Sequence, residues 1–114
     1  MIGLTLENFE EEVLDSPGLC VVAFKNDGCH LCRGLVKVIF RLRRKYIGRL
    51  KFGHVDTVAQ SDLAEIFDIE GVPTMLLFKV GDGTEIPYPD NPNLISGYSE
   101  EYLTEYLDGI LNDE

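Results

Sequence analysis

A chain of 114 residues, 45% of them hydrophobic, has the size of one domain and buries a core without disulfide staples. Its net charge of −10 argues against nucleic acid, whose binding rests on neutralising phosphates with Lys and Arg, and against anionic membrane surfaces. No segment is long and apolar enough to span a bilayer, and Met1-Ile2-Gly3-Leu4-Thr5 has no basic region leading into an apolar run, so a cytoplasmic protein is expected.

Residues 5–15 read as a first helix, capped by Thr5, with Glu7 at its positive end and Leu6, Phe9 and Val13 on one face. Ser16-Pro17-Gly18 ends it. The Val-rich run Leu19 to Phe24 reads as a buried strand, broken by Asn26-Asp27-Gly28 just before Cys29. A long helix follows, with Leu31, Leu35, Val38, Ile39, Leu42 and Tyr46 recurring at three- and four-residue steps and Gly48 as its stop. Arg33, Lys37 and the run Arg41 to Lys45 fill much of its other side. That run complements the helix dipole and reads as a solvated face, with docking of an acidic partner as the alternative.

Leu50 to Val55 reads as the next strand and Ser61 to Phe67 as a short helix. Met75 to Val80 is a further buried strand, followed by a hairpin turn at Gly81-Asp82-Gly83. Residues 85–96, with three prolines and two asparagines, read as an edge strand plus an extended loop. Ser99 caps a last helix whose apolar face includes Tyr102, Leu103, Tyr106, Leu107, Ile110 and Leu111. The order α-β-α-β-α-β-β-α, with room for a short leading strand, implies one α/β domain over residues 1–114: a central mixed sheet of four to five strands with helices on both faces.

The chemistry concentrates in Cys29-His30-Leu31-Cys32, placed after a strand and a turn at the entry of a helix. Spacing of three puts both sulfurs on one side of the first helical turn, within reach of a disulfide. A helix N-terminus presents unpaired N–H groups and a positive dipole end, which stabilise a thiolate. Cys29, in the turn, is expected to be the more exposed and to attack. Cys32, one turn inside, is expected to resolve the mixed disulfide. His30, beside the nucleophile, and Arg33 add positive charge. A structural zinc would need two further ligands from Cys20, His30 and His54. Cys20 sits in an apolar strand as a packing residue and His30 lies between the two cysteines, so no metal is expected.

With these motifs the chain resembles the thioredoxin-like family over nearly its whole length. Val21-Val22-Ala23-Phe24 resembles the family's central strand, Cys29 to Cys32 its redox motif, Lys51 to Asp56 the next strand, and Val72-Pro73-Thr74 with Met75 to Lys79 the cis-proline loop and its strand. The resemblance implies the thioredoxin fold and a cis Val72–Pro73 bond packed against the two sulfurs. It also implies an extended substrate peptide pairing with the backbone of Val72.

The departures are specific. A typical thioredoxin has Trp-Cys-Gly-Pro-Cys; here Gly28 replaces the Trp and His30-Leu31 replaces Gly-Pro, and the chain has no Trp. The family's buried Asp, six residues before the first Cys, is Ala23, and its usual Lys neighbour is His54. His54 is then a candidate proton acceptor for Cys32 and, with His30 and Leu31, a candidate tuner of the centre, against the alternative of a hydrogen-bonded, partly buried histidine. Lys37 stands where the family has a kinking proline, and Ile86-Pro87-Tyr88 resembles protein disulfide isomerase domains.

The expected function is thiol–disulfide exchange on protein disulfide substrates through Cys29–Cys32, with no other cofactor, an electron donor such as a reductase, and a monomeric chain. The alternative is a binding or chaperone-like module whose cysteine pair is a redox switch or a vestige.

Overall fold

The computed structural model describes residues 2–88 and 98–113. Five strands form one mixed sheet in the order β1-β3-β2-β4-β5: β1 (Ile2–Gly3), β2 (Leu19–Lys25), β3 (Leu50–Asp56), β4 (Thr74–Lys79) and β5 (Asp82–Ile86). β1 and β2 run parallel to β3, whereas β2–β4 and β4–β5 are antiparallel. The helices are α1 (His30–Lys45), α2 (Ser61–Ile66) and α3 (Glu100–Asn112).

β2 lies at the centre because six of its seven residues, Leu19 to Phe24, are buried on both faces, as a strand flanked by β3 and β4 requires. The period of two then divides two cores. Val21, Ala23, Phe52, Met75 and Leu77 meet α1 and α3, which present Leu35, Ile39, Leu42, Leu103 and Leu107. Cys20, Val22, Phe24, Val55 and Phe78 face the opposite way, onto Phe9, Val13 and Leu63. There Phe9, Phe67 and Phe78 pack with ring centroids 5.1 to 5.6 Å apart.

The leading helix is shorter and differently wound than its periodicity suggests. Thr5 and Asn8 exchange side-chain caps: the Thr5 N–H donates to Asn8 Oδ1 at 2.7 Å and the Asn8 N–H to Thr5 Oγ1 at 3.3 Å. After this start the chain makes a π-helical turn at Glu10–Leu14, closed by the Asp15 N–H on the Glu10 carbonyl at 2.8 Å. Phe9 and Val13 are buried as expected. Leu6 is 48% exposed, because it precedes the first full turn and its N–H is held by Gln60.

The β4–β5 hairpin turns on Val80-Gly81, not on Gly81-Asp82-Gly83. Lys79 pairs with Asp82, so only two residues remain, and both have positive φ (51° and 83°), the geometry of a type I′ turn. Gly83 belongs to β5 opposite Phe78, whose ring would lie 2.7 Å from any Cβ there. In α1 the expected apolar face holds except at Leu31, which is 36% exposed; the buried place in that first turn is taken by Cys32. Tyr46 closes α1, and Gly48 turns the chain at φ 81°. Ser99 caps α3 by accepting the Tyr102 N–H at 3.1 Å. β5 provides the expected edge strand, whereas the extended loop expected up to residue 96 falls largely outside the described residues.

Candidate active site

β2 ends at Lys25, and Asn26, Asp27 and Gly28 carry the chain onto α1. The Cys29 N–H donates to the Asn26 carbonyl at 3.2 Å, and Cys29 itself is extended (φ −87°, ψ 117°), the backbone of an N-cap. Its sulfur occupies the place of a capping oxygen, accepting the Cys32 N–H at 3.1 Å. The sulfur thus stands at the positive end of a 16-residue helix, with an N–H aimed at it, an arrangement that favours a thiolate.

Cys29 is half-buried and Cys32 is 1% exposed, the asymmetry expected of an attacking and a resolving thiol. Burial, and then the hydrogen bond with Cys29, push the Cys32 thiol up to about 11, so at neutral pH it holds its proton until a base or a change of partner removes it. Cys20 is also buried and pushed up to about 11, chiefly by desolvation, but it lies on the opposite face of the sheet among Val22, Phe24 and Phe78.

The loop before β4 completes the site across 43 residues of sequence. The Val72–Pro73 bond is cis, and the Val72 carbonyl lies 3.9 Å from Cys29 Sγ, a long, weak S–H···O contact. Side chains hold the loop from both ends: Thr74 Oγ1 donates to the Gly71 carbonyl at 2.6 Å, and the Tyr88 hydroxyl donates to the Pro73 carbonyl. Val72 is half-buried, Pro73 is buried, and His30 and Leu31 are exposed beside Cys29.

Beneath α1 the sheet presents a small polar group. Ala23 pairs with His54 and Lys25 with Asp56, so alternation puts all four on the α1 side. His54 is half-buried and its Nδ1 has no hydrogen-bond partner among the described residues. Desolvation first, and then the Lys25 ammonium, hold its pKa below the usual imidazole value, which favours the neutral form. The Lys25 side chain is only 15% exposed; its ammonium is 3.2 Å from Asp27 and acts on both Cys32 and His54.

Sequence reasoning left Lys25 and Tyr88 without a role. The signal for Lys25 was present: two residues beyond Ala23 on a strand, it must face the same side. Tyr88 lies fifteen residues from Pro73, and nothing in the local pattern joins them. Among the described residues no group of three His, Cys, Asp or Glu converges as a metal site.

Two cysteines at a helix N-cap thus face a loop with a cis proline. Residues 1–97 match the family model described as Thioredoxin. The chain belongs to the thioredoxin family. It is 32% identical over 78 residues to thioredoxin of Buchnera aphidicola subsp. Schizaphis graminum, covering 68% of this chain and 72% of that one. To thioredoxin C-2 of Corynebacterium nephridii it is 32% identical over 82 residues, covering 72% and 76%. It is 31% identical over 107 residues to protein disulfide isomerase-like 2-3 of Oryza sativa subsp. japonica; that match takes in 94% of this chain but spans only 24% of the relative. The family is one of thiol–disulfide oxidoreductases that act on protein disulfides through their own cysteines. No helix among the described residues is long and apolar enough to cross a membrane.

Proposed function

We propose that the protein is a dithiol–disulfide oxidoreductase in which Cys29 attacks and Cys32 resolves. The observation that carries this reading is the Cys29 sulfur at the N-cap of α1, accepting the Cys32 N–H at 3.1 Å while lying 3.9 Å from the Val72 carbonyl. The Cys29 thiolate attacks one sulfur of a substrate disulfide, forming a mixed disulfide and expelling the other sulfur as a thiolate that takes a proton. Cys32 then loses its proton and attacks the Cys29 sulfur. The substrate leaves with two thiols, two electrons have passed to it, and the protein holds a Cys29–Cys32 disulfide that an external dithiol or reductase must reduce.

Val72 and Pro73 form the wall against which an extended substrate segment lies, with the Val72 backbone as its pairing edge. His30 and Leu31 flank the attacking sulfur on the exposed side and tune it. With Ala23 in place of a carboxylate, His54 is the candidate base on the α1 side of the sheet, the Asp56 carboxylate there being engaged by the Val58 and Ala59 N–H groups, and Lys25 is the charge that favours ionisation of Cys32. A cytoplasmic setting favours reduction of substrates, because glutathione and thioredoxin systems keep thiols reduced there.

Turbidity from insulin reduction by dithiothreitol tests the reading. The wild type accelerates it, Cys29→Ser abolishes the acceleration, and Cys32→Ser traps a mixed disulfide. An unchanged rate in Cys29→Ser overturns the assignment and leaves a binding module with a vestigial pair.

A further inference from the structure

Charge is unevenly divided along this acidic chain. Residues 28–55 hold eight of the ten Lys and Arg and none of the 20 Asp and Glu. Most of that positive charge is on α1, where Arg33, Lys37, Arg41 and Arg44 follow one another at steps of four, four and three and so form one ridge. All four are exposed. The ridge begins at the residue after Cys32 and runs away from the redox site for eleven residues, about 16 Å at the helical rise.

Helix stability does not account for it. Cations in the last turn, Arg43, Arg44 and Lys45, complement the dipole, and Arg43 and Lys45 also stack over Phe40 (5.3 Å) and Tyr46 (5.7 Å), which leaves Arg33, Lys37 and Arg41 without that explanation. Arg33 and Lys37 lie in the N-terminal half, where positive charge opposes the dipole, and the first turn contains no acid to offset it. Arg41 is paired with Glu100 of α3, but among the described residues Arg33, Lys37 and Arg44 have no carboxylate partner. At physiological ionic strength screening acts over about 8 Å, so a segment lying on the ridge meets chiefly these cations, with Glu100, paired to Arg41, the one carboxylate that pairs with the ridge among the described residues.

We infer that the α1 ridge is a docking track for an acidic segment of a protein substrate whose disulfide sits at Cys29. About five extended residues span it at some 3.3 Å per residue. The inference rests on the dithiol reading above and adds to it the class of substrate: disulfides flanked by Glu- or Asp-rich chain.

The test uses three synthetic peptides with the same cystine loop, extended by five residues rich in Glu, in Lys or in Gly, and follows their reduction by the dithiothreitol-reduced protein at 0.15 M and 0.5 M salt. The Glu peptide is expected to react roughly five to ten times faster than the Lys peptide at the lower salt, a size consistent with a few surface charge pairs. The ratio should shrink at the higher salt and invert in Lys37→Glu/Arg44→Glu. Reduction of all three peptides at equal rates, or fastest reduction of the Lys peptide, overturns the track and leaves the dithiol reading standing. Failure to reduce any of them overturns the dithiol reading itself. A single-stranded oligonucleotide that slows reduction of the Glu peptide more than a cysteine-free Glu peptide of equal charge does would overturn the assignment to a protein substrate. The salt dependence of the wild type keeps the inference testable should the double variant fold poorly.

Discussion

The two faces of the sheet are built from the same alternating strands and end differently. On the α2 face the strands carry Val22, Phe24, Val55 and Phe78 into a cluster of apolar and aromatic side chains. On the α1 face the apolar layer gives way near the C-terminal ends of β2 and β3 to His54, Lys25 and Asp56, below the helix that carries Cys29 and Cys32. Each face holds a buried cysteine with its thiol pushed up to about 11, Cys20 on one and Cys32 on the other. Burial therefore does not separate the cysteine proposed to resolve from one that only packs. What separates them is a helix N-terminus and a second sulfur at three-residue spacing, both belonging to the α1 side.

The largest expected effect lies on the packing face. Phe78→Ala removes edge contacts to Phe9 and Phe67 and should cost about 3–5 kcal/mol of stability, measured by chemical denaturation. The folded variant should still reduce insulin; loss of activity in a fully folded sample would show that the two faces are coupled.

On the other face Tyr88→Phe deletes the hydrogen bond to the Pro73 carbonyl, at a cost of about 0.5–1.5 kcal/mol. Here the expectation reverses: a small change in stability accompanied by weaker use of peptide substrates, read as a higher KM. A change in stability alone would limit Tyr88 to packing.

Lys25→Met should act on chemistry more than on folding. Removing an ammonium that favours the Cys32 thiolate raises the Cys32 pKa further, so alkylation of Cys32 in a Cys29→Ser background should need higher pH. An unmoved profile would remove Lys25 from the site.

The smallest effect concerns His54. Its folded pKa lies below the unfolded value, so the unfolded chain binds more protons between the two, and stability falls as pH drops from about 6.5 toward the folded pKa. His54→Gln should flatten the fall of Tm over that window; an unchanged slope would assign it to other groups.

How much of this was legible follows from how local each signal is. β2 and α1 could be read directly, since a Val-rich run and a three-to-four-residue period each lie within one element. The Cys29–Cys32 pair was legible for the same reason. The hairpin was misplaced because three turn-forming residues competed for it, and the register of Lys79 with Asp82 decided between them from outside the turn. Leu6 and Leu31 carry the helical period, but Leu6 precedes its helix and Leu31 lies in the first turn of α1, where the period does not point into the core. The approach of Val72 to Cys29 spans 43 residues, and only the family resemblance anticipated it. Lys25 was passed over because a charge at the end of an apolar run reads as the end of a strand, although the alternation that buries Ala23 also turns Lys25 under the helix.

In the proposed chemistry one of the three cysteines is set out to react and two are held back. Brief alkylation of the reduced protein with iodoacetamide at pH 7, followed by peptide mass mapping, tests it directly. The label should fall on Cys29, with Cys32 and Cys20 modified only at much higher pH or after unfolding. Labelling of Cys32 or Cys20 as fast as Cys29 in the folded protein would contradict it.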